Sequence, residues 1–470
     1  MTQLDERAAS PALDAAGLRD TLRTTFAEGR TRPLAWRQEQ LTALRRMLVE
    51  REDDFVAALA QDLGRPPAES WAADLRSTMR EIEDIQHHLD DWTAPERRKL
   101  PLLFKPGKAQ IIREPVGVVL IIAPWNYPVQ LLVTPLAAAL AAGNAVVCKP
   151  SEVAPATSAA LARLLPEYVD PAAVAVVEGG IPETTTLLEL QWDHILYTGN
   201  GTVGRIVAEA AAKHLTPVTL ELGGKSPAIV TEDANLKLAA SKVAFAKFLN
   251  SGQTCIAVDH VFVHESVEAE FLRLLRAEIG KRFGSEPRTS KDFGRMVNAG
   301  HTQRVKSLLD QGDDEVVCGG EVDVEGKYVA PTILRGVTTS SAVMGEEIFG
   351  PVLPVLTYRD LGEVTAAIRA GDKPLALYLF TTSDQTVDEV LSTTSSGGVA
   401  VNDAINHILV PSLPFGGVGP SGYGAYHGRW GFETFSHRKS VLNRPAWALD
   451  PPLLYPPYTR LKTRLMRRLF

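Results

Sequence analysis

The hydrophobic residues near the start of the chain recur at helical spacing. Between residues 14 and 63 the apolar positions fall three or four residues apart, and Arg32-Pro33 interrupts the run. These positions are Leu18, Leu22 and Phe26 before the break, and Trp36, Leu41, Leu44 and Leu48 after it. Because residues at this spacing share one face of a helix, the pattern predicts a set of helices that precedes a sheet domain.

A different pattern follows, in which short runs of apolar, often β-branched residues lack polar alternation. Four such runs occupy residues 116–122, 145–148, 173–177 and 194–197, with helix-like stretches between them that include residues 131–142. Strands that are covered on both faces in a parallel sheet have this composition. The runs predict βαβ units between residues 116 and 222, an architecture typical of nucleotide binding. Further runs at residues 228–230, 260–263 and 352–356 predict a second α/β series, which we expect to form a separate catalytic domain.

The segment from Val116 to Cys148 contains no charged residue, and its length alone would allow a membrane span. Pro124, Pro128 and Pro135 interrupt it, together with polar and glycine positions. A unit of strand, loop, helix and strand inside an α/β core is therefore the better interpretation.

The last twenty residues have a different character from the rest of the chain. After a proline cluster, basic residues are interleaved with apolar ones: Arg460, Lys462, Arg464, Arg467 and Arg468 with Leu461, Leu465, Met466, Leu469 and Phe470. This pattern predicts a basic amphipathic helix. Two interpretations stay open, namely a terminal helix docked on the body or on a partner subunit, and a weak contact with a membrane surface.

Composition and charge indicate a globular protein that acts on a small molecule. A chain of 470 residues exceeds one hydrophobic core, so two or three domains are expected. The net charge of −7 gives no general attraction to nucleic acid, which would favour a basic surface.

The cysteines predict neither a disulfide framework nor a metal site. Cys148, Cys255 and Cys318 are widely separated, odd in number, and lie in no CxxC or Cys/His cluster. The first seven residues include acidic residues where a signal peptide has basic ones, and no apolar run follows them. We therefore expect a cytoplasmic protein.

Cys255 and Glu221 pair a thiol with a carboxylate. By itself, a free cysteine is most often an inert core residue, and an acid at a strand end is often a surface group. Here small polar residues precede Cys255, and Gly223 and Gly224 almost directly follow Glu221, where they permit close approach of the backbone. A thiolate can attack a carbonyl carbon, and a carboxylate can activate the water that hydrolyses the acyl-sulfur intermediate.

An ordered series of short motifs runs through nearly the whole chain. These motifs are Glu114-Pro115-Val116-Gly117, Pro124-Trp125-Asn126-Tyr127-Pro128, Lys149-Pro150-Ser151-Glu152, Thr198-Gly199 with Gly204, Glu221-Leu222-Gly223-Gly224-Lys225, Gly252-Gln253-Thr254-Cys255 and Glu347-Ile348-Phe349-Gly350-Pro351. A second set comprises Ser412-Leu413-Pro414-Phe415-Gly416-Gly417-Val418-Gly419, Tyr426-His427-Gly428, Phe432-Glu433-Thr434-Phe435-Ser436-His437-Arg438 and Tyr455-Pro456-Pro457-Tyr458. The first set resembles the aldehyde dehydrogenase superfamily. The second resembles its class 3-like group, shorter enzymes that act on fatty or aromatic aldehydes.

The resemblance implies an α/β fold with a Rossmann-type cofactor domain, an α/β catalytic domain and a β oligomerisation extension. On this pattern residues 1–95 and 116–220 bind NAD(P), and residues 221–407 form the catalytic domain. Residues 96–115 and 408–440 form the oligomerisation and bridging segment, and residues 441–470 form the tail. A homodimer is implied, because class 3-like members are commonly dimers and an edge strand needs a partner.

The implied reaction is NAD(P)-dependent oxidation of an aldehyde to a carboxylic acid. Cys255 would be the nucleophile, and Glu221 would be the base for deacylation. Asn126 lies between prolines, and by itself this position would indicate a turn residue. The resemblance implies instead that its side-chain amide and the backbone N–H of Cys255 form the oxyanion hole. Medium- or long-chain aliphatic aldehydes and aromatic aldehydes both remain open as substrates.

The resemblance also assigns a set of cofactor-binding residues. Lys149 and Glu152 follow the second strand at the edge where open α/β sheets bind ligands, although alone they could be a solvated ion pair. Both are implied to bind the adenosine ribose. An acid there favours NAD, while NADP remains possible.

Further implied cofactor contacts come from two other motifs. Gly199, Asn200 and Gly204 match a loose glycine pattern of the superfamily. Asn200 stands at a position where the superfamily frequently has serine, so one side-chain contact to the pyrophosphate is in question. Without the resemblance, Glu347 would be interpreted as a surface acid and Phe349 as a core aromatic. The resemblance implies that they hold the nicotinamide ribose and ring. Trp125 belongs to the same cofactor set, and no metal is implied.

Two other functions stay open. An enzyme that passes the acyl group to coenzyme A would use the same thiol, but relatives of that kind usually lack the base that Glu221 would provide. A structural or binding protein could keep the fold without activity, and the presence of Cys255, Glu221 and Asn126 argues against it.

Overall fold

The computed structural model describes residues 13–448 and 452–469. The expectation drawn from the first seven residues lies outside these ranges. The helices are, in chain order, α1 Ala15–Ala27, α2 Leu34–Glu50, α3 Glu52–Leu63, α4 Pro67–Glu69, α5 Ser77–Thr93, α6 Gln130–Ala142, α7 Pro155–Tyr168, α8 Ile181–Leu188, α9 Gly201–Ala212, α10 Leu236–Phe248, α11 Glu268–Phe283, α12 Ala299–Asp310, α13 Leu361–Ala370, α14 Asp384–Thr393, α15 Gly428–Thr434 and α16 Arg460–Leu469.

The strands are shorter than most of the helices. They are β1 Glu96–Arg98, β2 Lys108–Pro115, β3 Val118–Ile122, β4 Ala145–Lys149, β5 Val174–Val176, β6 His194–Gly199, β7 Val218–Leu222, β8 Pro227–Val230, β9 His260–His264, β10 Glu315–Cys318, β11 Val322–Asp323, β12 Tyr328–Val329, β13 Thr332–Arg335, β14 Val352–Tyr358, β15 Ala376–Phe380, β16 Gly398–Val401, β17 Gly422–Tyr423 and β18 Ser436–Asn443.

The N-terminal helices confirm the pattern of apolar positions. α1 is capped by Asp14, whose side chain accepts a hydrogen bond of 2.8 Å from the Gly17 N–H, and α2 begins directly after Pro33. α2 and α5 pack on α6, and α3 packs on α7. Every residue of α6 is buried, because it lies between these helices and the sheet. This burial explains why the segment around α6 carries no charge.

The first sheet has six strands in the order β17-β7-β6-β3-β4-β5. Its strands are parallel except β17, which pairs antiparallel with β7. The prediction of one strand over residues 116–122 was wrong at its start. Pro115 ends β2, and Gly117, with a φ of 144°, turns the chain into β3. A Cβ at Gly117 would lie 2.1 Å from a carboxylate oxygen of Asp193, so only glycine fits this turn.

The second sheet has seven strands in the order β10-β13-β14-β9-β8-β15-β16. All neighbours are parallel except β10 and β13. Buried apolar residues of both sheets and of the helices around them join in one large core. The predicted second α/β series is therefore confirmed as a sheet distinct from the first.

A third, antiparallel sheet stands apart from these two. β2 pairs with β1 on one side and with β18 over its full length on the other, from Ser436 opposite Pro115 to Asn443 opposite Lys108. This sheet joins segments that are more than 300 residues apart along the chain, and β18 forms one of its edges.

The predicted C-terminal helix is confirmed as α16, whose described side chains are largely exposed. In the two described ranges, no helix has both the length and the apolar character that crossing a bilayer requires. The same ranges contain no group of three or more His, Cys, Asp or Glu side chains placed to hold a metal ion.

Candidate active site

A cavity of about 510 Å³ opens between the two large sheets and the N-terminal helices. Cys255, Glu221, Thr198 and Tyr426 line it among mainly apolar side chains. Those apolar residues include Leu131, Phe245, Phe248, Leu249, Phe283, Leu375, Ile405, Ile408, Leu409 and Phe415. A mainly apolar cleft with few polar groups is the usual form of a small-molecule site.

The loop that carries Cys255 has an unusual backbone. Asn250, Ser251 and Gly252 adopt left-handed conformations in succession, with φ values of 51°, 51° and 74°. A Cβ at Gly252 would lie 2.3 Å from the carbonyl oxygen of Gly350, so the loop passes directly against the Glu347–Phe349 segment. The Gln253 side chain then fixes the turn, because its Nε2 donates to the carbonyls of Asn250 and Arg295 at 2.9 Å each.

The Cys255 thiol is held in its neutral form. Burial raises its pKa to about 12, and the nearby carboxylates of Glu347 and Glu221 add to the rise. Cys148 is instead buried in β4 and Cys318 lies in β10, so neither lines the cavity. Because a thiolate is the reactive form, nucleophilic attack by Cys255 requires a group that removes its proton.

Glu221 lies in the body of β7, buried, opposite Thr198 of β6 and Gly422 of β17. Neither of its carboxylate oxygens has a hydrogen-bond partner in the protein. Burial raises the pKa of Glu221 well above its usual value. A carboxylate whose pKa is raised is a stronger base than an ordinary carboxylate, and so is better suited to accept a proton from water.

Asn126 follows β3 and contacts the cysteine loop through two hydrogen bonds. Its side-chain Nδ2 donates to the Gln253 carbonyl at 3.1 Å, and its own carbonyl accepts from Nδ2 of Asn250 at 2.9 Å. The structure thus brings the amide next to the segment that ends at Cys255. One hydrogen of the Asn126 amide is left for a ligand.

Glu347, Phe349 and Trp125 form a second group beside this loop. A Cβ at Gly223 would lie 2.0 Å from Oε2 of Glu347, so the glycine permits the carboxyl to lie against the strand that follows Glu221. Burial, and then the charge of Asp259, raise the pKa of Glu347 to about 8. Phe349, with a φ of 46°, packs edge-on against Trp125 at 5.4 Å between ring centroids.

Lys149 and Glu152 form a third group at the carboxyl edge of β4. The buried Lys149 ammonium donates to the Pro150 carbonyl at 2.8 Å and lies 3.5 Å from Oε2 of Glu152. Burial lowers the pKa of Lys149, and half of the Glu152 side chain is exposed. An ammonium with a donor to spare beside an accessible carboxylate fits the two hydroxyls of a ribose.

The glycine motif lies at the junction of β6 and α9. Asn200 caps α9, because its Oδ1 accepts the Val203 N–H at 3.0 Å, so the oxygen is engaged within the protein. A Cβ at Gly204 would lie 2.9 Å from Leu222, so the glycine lets α9 pack tightly on β7. A Cβ at Gly199 would lie 2.2 Å from the Tyr197 hydroxyl. The N-terminus of α9 presents backbone N–H groups suited to a phosphate.

Several residues of this site escaped the sequence interpretation. Thr198 and Tyr426 belong to quoted motifs but received no role, although both hydroxyls are buried without a partner. Arg65 and Glu69 contact the Asn250 residue of the cysteine loop, and Asp74 contacts Arg65 and the start of α6, but no motif or spacing pointed to these three residues. A basic residue in a helical region looks like any solvated side chain until its burial is known.

Comparisons with known proteins show the family of this chain. The model of the "Aldehyde dehydrogenase family" matches residues 5–441. "Aldehyde dehydrogenase family 3 member H1" of Arabidopsis thaliana is 45% identical over 97% of this chain and 95% of its own length. "Aldehyde dehydrogenase, dimeric NADP-preferring" of Canis lupus familiaris is 46% identical over 90% of this chain and 93% of its own length.

A solved structure extends the comparison to three dimensions. The structure titled "Substrate bound state of Staphylococcus Aureus AldH" superimposes with a TM-score of 0.94 at 42% sequence identity. It covers 97% of this chain and 99% of the other. From the family model, the relatives and the shared fold, the chain belongs to the aldehyde dehydrogenase family.

Proposed function

We propose that this NAD(P)-dependent aldehyde dehydrogenase oxidises apolar aldehydes through a thioester on Cys255, which water activated by Glu221 then hydrolyses. The observation that carries the proposal is the mainly apolar cavity that Cys255 and Glu221 both line. Both oxygens of that carboxyl lack protein partners, so they are available to water.

The first step forms a carbon–sulfur bond. The Cys255 thiol releases its proton to solvent, and the sulfur attacks the aldehyde carbon while the carbonyl oxygen gains negative charge. The remaining hydrogen of the Asn126 amide and the Cys255 backbone N–H stabilise that oxyanion. A donor of this kind typically contributes about 10²–10³ in rate.

Bound NAD(P)⁺ supplies the hydride acceptor, and loss of the hydride from the former aldehyde carbon leaves a thioester on Cys255. Glu221 then takes a proton from water, whose oxygen attacks the thioester carbon. The carbon–sulfur bond breaks, the acid leaves, and the proton that Glu221 took from water passes to the sulfur. The raised pKa of Glu221 supports this role, because it makes the carboxylate a stronger base towards water.

The residues at the carboxyl edge of the first sheet support NAD or NADP as the cofactor. We infer that Lys149 and Glu152 bind the adenosine ribose, and that Gly199, Asn200 and Gly204 surround the pyrophosphate. Glu347, Phe349 and Trp125 would hold the nicotinamide ribose and ring. The carboxylate of Glu152 repels a 2'-phosphate and so favours NAD. The canine relative is named NADP-preferring, which keeps NADP within the proposal.

The apolar lining supports medium- or long-chain aliphatic or aromatic aldehydes as substrates. The decisive experiment follows NADH formation over a series of aldehyde chain lengths and benzaldehyde, with and without coenzyme A. Acid formation without coenzyme A is expected. A strict need for coenzyme A would identify an acyl-transfer enzyme, and no NADH with any aldehyde would identify a non-catalytic protein.

We propose a cytoplasmic homodimer. β18 is an edge strand, and Leu442 within it and Trp447 after it are 54% and 75% exposed. The canine relative is named dimeric. The three cysteines are free thiols, which suits a reducing compartment. Light scattering of the wild type and of Leu442→Asp tests the dimer, and a monomeric wild type would contradict it.

The division of the chain and the role of its tail complete the proposal. Strands β3–β6 and the first three residues of β7 fall within the assigned cofactor domain, residues 1–95 and 116–220. The last two residues of β7 and strands β8–β16 fall within the catalytic domain, residues 221–407. Residues 96–115 and 408–440 supply β1, β2, β17 and part of β18 to the bridging segment. In the tail, residues 441–470, exposed basic side chains on α16 support a weak contact with anionic membrane surfaces.

A further inference from the structure

Arg65 is a buried arginine between α3 and α4 that contacts three separate segments of the active site. Its Nε donates to Oδ1 of Asn250 at 3.2 Å, while its two Nη groups donate to the Asn126 carbonyl and to Asp74. Its guanidinium also stacks over Tyr127, with 4.6 Å from Cζ to the ring centroid. The side chain has no exposed surface, so these contacts replace its hydration completely.

Two carboxylates complete the group, and each binds a backbone N–H of a segment that Arg65 also contacts. Asp74 accepts the Gln130 N–H at 2.8 Å, which fixes the start of α6 just after Asn126. Glu69 accepts the Asn250 N–H at 2.8 Å and lies 3.6 Å from Nε of Arg65. Their pairing with Arg65 and their hydrogen bonds offset part of the cost of removing them from water, although burial still raises the pKa of both Glu69 and Asp74.

This arrangement dictates which way the Asn250 amide points. A guanidinium has donors only, so Asn250 presents its oxygen to Arg65 and its nitrogen to the opposite side. That nitrogen donates to the carbonyls of Asn126, at 2.9 Å, and of Gln253, at 3.1 Å. The Gln253 carbonyl also accepts from Nδ2 of Asn126. Two amides therefore converge on the peptide that lies two residues before Cys255.

We propose that Arg65 and Asn250 are positioning residues, which hold the Asn126 amide and the Cys255 loop in the geometry that stabilises the oxyanion. The proposal rests on the proposed function, since it concerns the step in which the aldehyde oxygen becomes charged. Oxyanion donors are effective because they are fixed before the charge develops. The planar fork of arginine can hold three acceptors in one orientation, which the ammonium of lysine cannot do.

The test measures hydride transfer in a single turnover, with enzyme in excess over aldehyde and saturating NAD. Rates are expressed per titrated Cys255. Arg65→Lys is expected to slow NADH formation by about 10- to 100-fold, somewhat less than the loss of an oxyanion donor itself. The KM for NAD and the rate of Cys255 alkylation by iodoacetamide should stay within about twofold, because neither involves an oxyanion.

Arg37→Lys is the matched control. Arg37 is also a buried arginine, and it donates to the Ala141 carbonyl at 3.1 Å, at the other end of α6. Its replacement should lower the melting temperature without changing the single-turnover rate. A purely structural role of Arg65 would give the same result as this control.

A second variant keeps the proposal testable if Arg65→Lys fails to fold. Asn250→Asp retains a residue type that tolerates a positive φ, but replaces the donor that faces two carbonyls with an acceptor. It should show the same selective slowing. A wild-type single-turnover rate in either folded variant would overturn the proposal. Failure of the proposed function would be distinct, because the wild type itself would then form no NADH.

Discussion

Replacing Glu221 with glutamine should separate the two chemical steps. The carboxyl makes no hydrogen bond within the protein, so the isosteric amide breaks no contact and removes only the ability to accept a proton. Thioester formation and reduction of one equivalent of NAD per active site should persist. Hydrolysis should slow by about 10²–10⁴, the usual contribution of a general base, which corresponds to about 3 to 5 kcal/mol in the barrier.

The same substitution should change the titration of the thiol. The Glu221 carboxylate helps to raise the pKa of Cys255, so its removal should lower that pKa and shift the pH profile of iodoacetamide alkylation downward. In the wild type, deacylation should become faster as pH rises through the elevated pKa of Glu221, because the carboxyl must be ionised to act as a base. The variant should lose this dependence.

Rapid-mixing absorbance of NADH, with mass spectrometry of the quenched protein, measures both steps. The variant should show a burst and accumulate an acyl group on Cys255, whereas Cys255→Ala should give no burst. Full steady-state turnover by Glu221→Gln would refute the assignment of the base. Loss of the burst would show instead that the carboxyl is also needed to activate the thiol.

Three further predictions concern the cofactor, the core and the tail. Glu152→Gln should raise the NADP to NAD ratio of kcat/KM, because repulsion of the 2'-phosphate is relieved, and an unchanged ratio would remove Glu152 from the ribose. Lys247 is buried, which lowers its pKa to about 8, so the unfolded chain binds more protons than the folded protein between this pH and about 10.5. As pH rises across that window, the free energy of unfolding of the wild type, measured with denaturant, should increase relative to that of Lys247→Met. A difference that stays constant with pH would contradict the lowered pKa of Lys247. Deleting residues 459–470 should spare short aldehydes but alter long-chain turnover or sedimentation with anionic vesicles, and unchanged behaviour in both would favour a docking helix.

The sequence predicted four strands of the first sheet, β3–β6, and three of the second, β8, β9 and β14, because strands covered on both faces are often continuous apolar runs. The runs at residues 145–148, 228–230 and 260–263 correspond to β4, β8 and β9. β17 could not be recognised, since two residues of Gly-Tyr carry no periodicity, yet this strand lies beside Glu221. The wrong start of β3 has a similar origin, because the turn at Gly117 interrupts an apolar run without a change of polarity.

The burial of the charged site residues could not be predicted from the sequence either. Glu221 and Arg65 have the composition of surface groups, and only long-range packing removes them from water. The left-handed backbone of Asn250 and Ser251 is equally invisible in residue types that are common in ordinary turns. The motifs identified the candidate site residues in the sequence. The contacts that fix the positions of these residues come from segments far away in the chain.

The hydrogen bonds around the cysteine loop have a consequence for the order of folding. Asn250 is bound by Arg65, Glu69 and Asn126, which lie 185, 181 and 124 residues away in the sequence. Helices form from local contacts, but contacts over such distances close late, after large loops have lost their entropy. A refolding chain should therefore recover its circular dichroism before its catalytic rate. Until both sheets have docked, Cys255 is an ordinary thiol without a neighbouring base, and a nascent chain makes no acyl-enzyme.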